Sequence, residues 1–258
     1  MSAAAQPARV RAALIGAGGR MGQALLHCAA DSPSIGFTAA LVPAGSALIG
    51  RAAPGTALTY QADLGAALLQ CDVALDFSHA AATPDILRAC RARRTPLLIG
   101  TTGLAGPIEA EFAAAAREIP LLVAANTSLG VALLTELVQL AAAALPEEFR
   151  LSILESHHAG KRDAPSGTAL ALAQAAQLAR TAAGRAGTAA AIQSIREGDI
   201  VGEHVVRFDG PGEELTLAHK ASDRSLFARG ALAAALWLSS RPPGRYSMRD
   251  VLAVKTVT

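Results

Sequence analysis

The sequence predicts an α/β protein, in which an N-terminal Rossmann-like parallel-sheet domain precedes a C-terminal α+β domain with an open, mostly antiparallel sheet. Three observations predict this fold. Short apolar runs alternate with Ala-rich helical segments through the first half. A glycine cluster follows the first of these runs. After about residue 128, alternating strand patterns take over, and two of them flank the tight-turn sequence Asp209-Gly210-Pro211-Gly212.

The first half predicts five buried strands that are connected by helices. The strands are expected at residues 12–15, 38–42, 73–77, 96–99 and 121–124, and the helices at 20–30, 64–70, 83–94 and 106–118. Near-continuous apolar strands are typical of a parallel sheet that helices cover on both faces. In the second half, helices are expected at 131–145, 166–180, 228–239 and 248–254, and strands at 150–155, 192–196, 204–208 and 214–219.

Composition excludes several classes of protein. The chain has 258 residues, 52% hydrophobic and 17% charged, with a net charge of +2. This composition is typical of a globular protein. The sequence contains no basic run interleaved with aromatic residues, which is the pattern that would indicate nucleic-acid binding. Cys28, Cys71 and Cys90 form no metal-ligand spacing. Since the chain has neither a signal-peptide pattern nor an apolar stretch of roughly 18 residues, we expect a soluble, cytoplasmic protein that uses no metal.

The glycine cluster, residues 15–22, follows the first predicted strand and opens the first predicted helix. Small residues let the backbone approach a pyrophosphate, and a helix N-terminus offers unpaired N–H groups and a positive dipole end. The strict G-x-G-x-x-G spacing fails because Met21 occupies the third glycine's place, so Gly16, Gly19 and Gly22 form a G-x-x-G-x-x-G variant. The context favours dinucleotide binding over an ordinary tight turn.

A segment near the middle of the chain concentrates groups suited to proton transfer and anion binding. His157 and His158 end a predicted strand, and Lys161 follows them. Gly167 and Thr168 begin a helix, whose first amides form a candidate carboxylate cradle together with the Thr168 hydroxyl. The chain contains 3 lysines against 20 arginines. A lysine at position 161 therefore indicates a need for a compact charge.

Less specific interpretations of this segment stay open. The histidine pair could be half of a metal site, although adjacent strand residues point to opposite faces and no third ligand is nearby in the sequence. It could also be a structural pair on a loop. Ser166 is expected as the N-cap of the following helix, and Asp163 could brace the same turn.

Seven segments carry a resemblance to a known family. They are residues 16–22, 76–78, 100–103, 124–131, 155–170, 198–204 and 219–222. From Arg11 to the C-terminus the chain resembles the 4-hydroxy-tetrahydrodipicolinate reductases, also called dihydrodipicolinate reductases. The resemblance implies NAD(P)H-dependent reduction of 4-hydroxy-tetrahydrodipicolinate to tetrahydrodipicolinate in diaminopimelate and lysine biosynthesis. It also implies a homotetramer formed through the C-terminal sheets.

The resemblance further implies domains and residue roles. A dinucleotide-binding domain is expected at 1–127, completed by C-terminal helices at about 237–258, and a substrate-binding and oligomerisation domain at 128–236. His157 would be the general acid and Lys161 its catalytic partner. The substrate carboxylates would be held by His158, Lys161, Gly167 and Thr168. The cofactor would be held by Gly16, Ala17, Gly18, Gly19, Arg20, Met21, Gly22, Gly100, Thr101, Thr102, Ala124, Ala125 and Asn126, with Thr102 near the nicotinamide.

Two positions depart from the family pattern. The acid and base that usually follow the second strand are replaced by Val42 and Pro43. Neither repulsion nor attraction of a 2′-phosphate is expected there, so we predict use of both NADPH and NADH, with a slight lean to NADPH from Arg20. Residues 181–191 are also shorter and richer in alanine than the family's loop, which bears on the tetramer or on domain closure.

Two other functions fit part of the pattern. A related two-domain NAD(P)-dependent amino-acid dehydrogenase would share the glycine loop but has no reason to carry His157, Lys161 and the Gly167-Thr168 helix start. A non-catalytic dinucleotide-binding sensor would keep the fold, and it is expected to have lost His157 or Lys161. Both residues are present, which favours the reductase.

Overall fold

The computed structural model describes residues 9–104, 106–185 and 189–252. The strands are β1 Val10–Ile15, β2 Ile35–Leu41, β3 Tyr60–Gln61, β4 Val73–Asp76, β5 Leu97–Ile99, β6 Pro120–Val123, β7 Arg150–His157, β8 Ala191–Arg196, β9 Gly202–Gly210, β10 Glu213–Ala221 and β11 Gly244–Tyr246. The helices are α1 Arg20–Ala30, α2 Leu64–Leu68, α3 Thr83–Arg93, α4 Ile108–Ala115, α5 Leu129–Ala144, α6 Gly167–Ala182, α7 Ser225–Leu238 and α8 Met248–Val251.

The expected elements are all found, with ends that differ by a few residues. The pattern does not predict β3 and β11, because strands of two or three residues carry no periodicity of their own. The last part of the helix expected at 248–254 and part of the Ala-rich loop at 181–191 lie outside the described residues. Among the described residues, no helix is long and apolar enough to cross a membrane.

The chain divides into two compact units, the described residues of Met1–Ser128 with Phe227–Thr258, and those of Leu129–Leu226. In the first unit, seven parallel strands form a sheet in the order β11-β6-β5-β4-β1-β2-β3. Leu14 of β1 pairs with Ala40 of β2 on one side and with Leu75 of β4 on the other. The strand order therefore reverses at β1, which confirms the Rossmann-like topology.

The interior of this sheet explains its near-continuous apolar sequence. Leu14, Leu75, Leu98 and Leu122, each on a different strand, are fully buried. On the opposite face of the sheet, Ala13, Leu97 and Leu121 are buried in a core cluster that includes Phe112 of α4. Parallel strands that are buried on both faces need apolar residues at every position, so period-2 alternation is absent here.

The second unit contains the sheet β10-β9-β7-β8. The pairs β10–β9 and β9–β7 are antiparallel, which confirms a mostly antiparallel sheet, and the turn between β9 and β10 uses Gly212 at φ +82°. The pair β7–β8 is parallel because α6 connects the two strands as a crossover. Helices α5 and α6 pack on the face of the sheet that carries Leu151, Ile153, Val206 and Phe208.

Candidate active site

The expected cofactor residues lie in loops that follow neighbouring parallel strands. The glycine loop follows β1, Gly100 follows β5 and Ala124 follows β6. Because the carboxyl ends of parallel strands meet at one edge of a sheet, these three loops share that edge. The glycine loop occupies the switch point between β2 and β4, where doubly wound sheets bind dinucleotides.

The glycine loop shows why its glycines are needed. Gly16 has φ +83°, and a Cβ at this residue would collide with the carbonyl of Phe77. A Cβ at Gly22 would collide with the carbonyl of Gly16, so Gly22 permits the close approach of α1 to the loop. Gly22 thus performs the task of the third glycine, one position later than the strict spacing. Gly19, at the N-cap of α1, provides no side-chain cap, which leaves the first helix amides for an anion.

Apolar side chains lie beside the glycine loop at the end of β2, where dinucleotide-binding domains commonly have an acidic residue. Val42 directly follows β2 and is buried, whereas Pro43 is exposed. A Cβ built on Gly18 would lie 2.7 Å from Leu48 Cδ1 and 3.3 Å from Val42 Cγ1. Among these neighbours there is no carboxylate to accept hydrogen bonds from ribose hydroxyls.

Asp76, at the end of β4, organises the loop after β5. Its buried carboxylate accepts hydrogen bonds from the hydroxyls of Ser78 (2.5 Å), Thr83 (2.8 Å) and Thr101 (3.0 Å). The Thr101 hydroxyl therefore has a structural partner, although Thr101 is an expected cofactor residue. The adjacent Thr102 is exposed.

The loop after β6 is shaped by its asparagine. The Ala124 amide donates to the carbonyl of Ile99 at 2.9 Å, which holds this loop beside the previous one. Asn126 Oδ1 accepts a hydrogen bond from the Ser128 amide at 2.9 Å, an Asx turn that leads into α5. Ala125 is exposed between these two anchors.

In the second unit, His157 is held by a carboxylate on its own strand. Glu155 and His157 are two positions apart on β7, so their side chains share a face. His157 Nδ1 lies 2.5 Å from Glu155 Oε2, and the two side chains are 12% and 0% exposed. This pairing leaves Nε2 as the free nitrogen of the imidazole.

Glu155 has several further donors. Arg196, on β8, donates from Nη2 to Oε1 at 2.7 Å and from Nη1 to Oε2 at 3.0 Å. The Ser166 amide donates to Oε1 at 3.1 Å. Burial alone would raise the pKa of the Glu155 carboxyl, but the hydrogen bonds from Arg196, Ser194, His157 and Ser166 outweigh it and lower that pKa to about 2. Glu155 is therefore ionised throughout the physiological range.

The pKa of His157 is lowered because burial outweighs the attraction of Glu155, and Lys161 and Arg196 lower it further. His204, on β9, meets His157 edge to face with ring centroids 5.2 Å apart. Burial, followed by the proximity of His157, lowers the pKa of His204 to about 4. His204 is thus neutral at neutral pH, and its Nε2 lies 3.3 Å from the Ser166 hydroxyl.

The loop after β7 carries the expected cation. The Lys161 amide donates to the His158 carbonyl at 3.1 Å, which closes a turn. Lys161 Nζ lies 2.7 Å from both carboxylate oxygens of Asp163, and this ammonium lowers the pKa of Asp163. Asp163 therefore pairs with the lysine. In the described part of the chain, no group of three His, Cys, Asp or Glu side chains could hold a metal ion.

Helix α6 begins beside this loop. Ser166 is its N-cap, since its hydroxyl accepts a hydrogen bond from the Ala169 amide at 3.2 Å. Gly167 is exposed, and a Cβ built on it would have no neighbour within 4 Å. The half-buried Thr168 follows. The helix start is therefore open toward solvent at the two residues expected to bind a carboxylate.

Sequence reasoning assigned no role to three residues of this cluster. Glu155, Arg196 and His204 touch or face His157 through strand register, since Glu155 pairs with His204 and His157 pairs with Arg196. The i, i+2 spacing of Glu155 and His157 on one strand was a usable signal. The other two could not be placed without knowing which strands pair.

This fold, with a glycine loop at the switch point of the first unit and a carboxylate-bound histidine in the second, defines a dinucleotide-dependent oxidoreductase. The family described as "Dihydrodipicolinate reductase, N-terminus" matches residues 10–127, and its "C-terminus" counterpart matches residues 130–252. The chain belongs to the dihydrodipicolinate reductase family, whose enzymes act in diaminopimelate and lysine biosynthesis.

Individual relatives agree with this assignment. A 4-hydroxy-tetrahydrodipicolinate reductase from Alkalilimnicola ehrlichii is 44% identical over 264 residues, covering 95% of this chain and 99% of the relative. One from Stenotrophomonas maltophilia is 46% identical over 243 residues, covering 94% and 98%. A dipicolinate-bound dihydrodipicolinate reductase from Paenisporosarcina sp. TG-14 shares the fold, with a TM-score of 0.80 and 23% identity over 93% of this chain and 98% of that chain.

Proposed function

We propose that this chain reduces 4-hydroxy-tetrahydrodipicolinate to tetrahydrodipicolinate with a hydride from NADPH or NADH. Loss of water from the substrate, as its hydroxyl and a hydrogen of the adjacent ring carbon, leaves an unsaturated ring carbon to which a bound nicotinamide would supply a hydride. Charge then builds on the neighbouring carbon and nitrogen, and His157 donates the proton that neutralises it from Nε2. The observation that carries this role is the short contact between His157 Nδ1 and the buried Glu155, which leaves Nε2 free.

The substrate's two carboxylates need fixed positive partners. Lys161 supplies one charge, and a substrate carboxylate would compete with Asp163 for its ammonium. The amides of Gly167 and Thr168, in the first turn of α6, would supply a helix N-terminus for the other carboxylate, together with the Thr168 hydroxyl and His158. The dipicolinate bound to the Paenisporosarcina enzyme, itself a dicarboxylate, agrees with this class of ligand.

Cofactor binding is assigned to the first unit. The open amides at the start of α1 would hold the pyrophosphate, and Gly16 and Gly22 allow its close approach. The exposed Thr102 would lie near the nicotinamide, while Thr101 acts through its backbone because its hydroxyl binds Asp76. We infer use of both NADPH and NADH, since Val42 neither repels nor attracts a 2′-phosphate.

The test of this function is a spectrophotometric assay of nicotinamide oxidation with freshly condensed pyruvate and aspartate semialdehyde. We expect turnover that requires both condensation partners. Oxidation with an amino-acid or keto-acid substrate alone, and none with the condensed product, would assign the chain to the two-domain amino-acid dehydrogenases. Cofactor binding without turnover of either kind would favour the sensor.

We also propose a cytoplasmic homotetramer assembled through the sheets of the second unit. Helices α5 and α6 cover one face of the sheet. The opposite face carries a cross-strand row of Leu154, Val205 and Ala218, none of which is buried within one chain. An apolar row on an uncovered sheet face is the kind of surface that a second sheet covers.

Light scattering tests this assembly. We expect a mass of about four times the 26.2 kDa of one chain, and Val205→Glu should lower it because a charge would be buried in the interface. The matched control is Leu178→Glu, which also replaces an apolar side chain by glutamate but does so at an exposed position of α6. A monomeric wild-type protein, or equal effects of both variants, would contradict the proposed interface.

A further inference from the structure

The contacts of Glu155 suggest a role for this residue in addition to that of His157, the proposed general acid. We propose that Glu155 is a positioning residue that holds His157 in the Nδ1–H tautomer, with Arg196 and the Ser166 amide locking the carboxylate in place. The part of this inference that concerns turnover rests on the proposed function. The arrangement of the imidazole is independent of the substrate and can be measured separately.

The carboxylate of Glu155 has no spare acceptor geometry. Each of its two oxygens faces two donors, because Oε1 accepts from Arg196 Nη2 (2.7 Å) and the Ser166 amide (3.1 Å). Oε2 accepts from Arg196 Nη1 (3.0 Å) and faces His157 Nδ1 (2.5 Å). An ionised carboxylate is acceptor-only, so a neutral His157 must carry its proton on Nδ1. The donors of Arg196 and Ser166, together with the Ser194 hydroxyl, prevent the carboxylate from turning away.

The tautomer of the neutral His157 imidazole determines which of its two nitrogens can take up a new proton after each turnover. With Nδ1–H held by Glu155, the lone pair of a neutral imidazole lies on Nε2, which takes up a proton from water between turnovers. In each turnover that proton leaves Nε2 for the substrate, while the other proton stays on Nδ1 and is donated in a hydrogen bond to Glu155. In the opposite tautomer Nδ1 would bear the lone pair, directed at a carboxylate that has no proton to give.

The groups that face His157 leave Glu155 as its only anionic partner among the described contacts. Arg196, on β8, and Lys161, in the loop after β7, are cations, and His204, on β9, is neutral. Glu155 therefore stabilises the protonated imidazole against burial and against the two cations. Without the Glu155 charge, the imidazole would protonate only at lower pH.

The decisive variant is Glu155→Gln, which keeps size and shape but replaces one oxygen by an NH2 group. That NH2 would face two fixed donors at the Oε1 position and one, Arg196 Nη1, at the Oε2 position. The Ser194 hydroxyl, which also hydrogen-bonds Glu155, can accept as well as donate and so opposes neither orientation. The amide should therefore turn its NH2 toward His157 Nδ1. This orientation forces the histidine into the Nε2–H tautomer.

We expect Glu155→Gln to lower kcat about 100- to 10,000-fold, the range for a misdirected proton donor. The alkaline limb of the kcat–pH profile should move down by about 1 unit or more. Long-range 1H–15N spectra of the imidazoles should show His157 as Nδ1–H in the wild type and as Nε2–H in the variant. The matched control is Glu148→Gln, the same change at an exposed position before β7, which should alter none of these readouts.

Glu155→Asp separates positioning from folding, because it retains the charge while shortening the side chain. We expect it to keep the Nδ1–H tautomer and a pH limb nearer to that of the wild type. A wild-type His157 in the Nε2–H tautomer would overturn the proposal, as would a Glu155→Gln variant with reduced kcat but unchanged tautomer and pH limb. If the wild type fails to reduce the condensed substrate, the proposed function fails, and the spectra still decide the positioning role.

Discussion

At the level of single residues, the pKa of His157 is subject to opposing influences, of which burial is the largest. Burial and two nearby cations lower its pKa, and only Glu155 raises it. A bound dicarboxylate would add negative charge beside the imidazole and favour its protonated form. Under the proposed function, we therefore expect substrate binding to favour the protonated, acidic form of His157.

His157→Ala should lower kcat about 100- to 10,000-fold, the usual contribution of one positioned proton donor. The KM for the cofactor should stay nearly unchanged, because the cofactor residues are in the other unit. Steady-state kinetics with both substrates varied provides the measurement, and His27→Ala, at an exposed position of α1, is the control. A variant within threefold of the wild-type kcat would remove His157 from this role.

Lys161→Arg should fail to restore activity, although it preserves the charge. The Lys161 side chain is only 22% exposed and pairs with Asp163, and a planar guanidinium does not fit where a compact ammonium is held. Lys220→Arg is the matched control, because that lysine is 73% exposed and pairs with Glu203. Comparable kcat/KM for the two variants would show that Lys161 acts as a generic charge.

At the level of secondary-structure elements, the N-termini of α1 and α6 are expected to bind different anions through the same property, the unpaired N–H groups of a first helical turn. The start of α1 has no side-chain cap, so its amides remain for an anion, whereas Ser166 caps α6, with the exposed Gly167 and the half-buried Thr168 directly after the cap. In both cases, the first N–H groups of the helix have no intrahelical acceptor. Each helix therefore contributes through the residues at which it begins.

Thr168→Val should weaken substrate binding about 10- to 150-fold, the equivalent of roughly 1.5–3 kcal/mol for one hydrogen bond to a charged group. The change keeps the side-chain shape and removes only the hydroxyl at the start of α6. Thr181→Val, at the other end of the same helix, is the control, since its hydroxyl donates to the Gln177 carbonyl. Equal substrate KM values for the two variants would place the carboxylate elsewhere.

Gly22→Ala should lower the free energy of unfolding by about 1–2 kcal/mol, although alanine favours a helix by about 1 kcal/mol. The added Cβ would collide with backbone atoms of Gly16 and Ala17, which cannot move as a flexible side chain could. Gly45→Ala is the control, because nothing lies within 4 Å of its Cβ position. Urea unfolding with and without cofactor measures both; an equally stable Gly22→Ala protein would contradict the close contact.

At the level of the whole molecule, we expect cofactor selectivity to depend on residues that follow different strands. Val42, Leu48 and Gly18 form an apolar surface at one end of the glycine loop, and Arg20 is the exposed cation at the start of α1. A single exposed charge contributes little in water, so its effect on a 2′-phosphate should be small and sensitive to salt.

We therefore expect kcat/KM for NADPH to exceed that for NADH by less than about tenfold, or about 1.4 kcal/mol, and the difference to shrink as salt is added. Measuring both cofactors at low and moderate ionic strength checks this. Arg20→Gln should abolish the remaining preference, and Arg88→Gln, on the exposed side of α3, should not. A preference beyond about a hundredfold would mean that another residue recognises the 2′ position.

Local patterns in the chain were enough for much of the molecule. Period-free apolar runs indicated the buried parallel strands, and the glycine loop between the first strand and the first helix indicated a dinucleotide site. The candidate site of His157, Lys161 and the start of α6 was predicted from a single stretch of fewer than fifteen residues, and its role stays a prediction. These features succeed because strands, helix starts and glycine turns depend on neighbours within a few positions.

The remaining features depend on which segments meet in space, and only the tertiary structure decided them. The parallel β7–β8 pair places Arg196 beside His157, and the antiparallel β7–β9 pair places His204 opposite Glu155. Gly22 replaces the expected third glycine because the approach of α1 to the loop is set in three dimensions. Strand register and backbone clearance arise from packing between residues far apart in the sequence, such as Glu155 and Arg196 at a separation of 41, and no short sequence window contains that information.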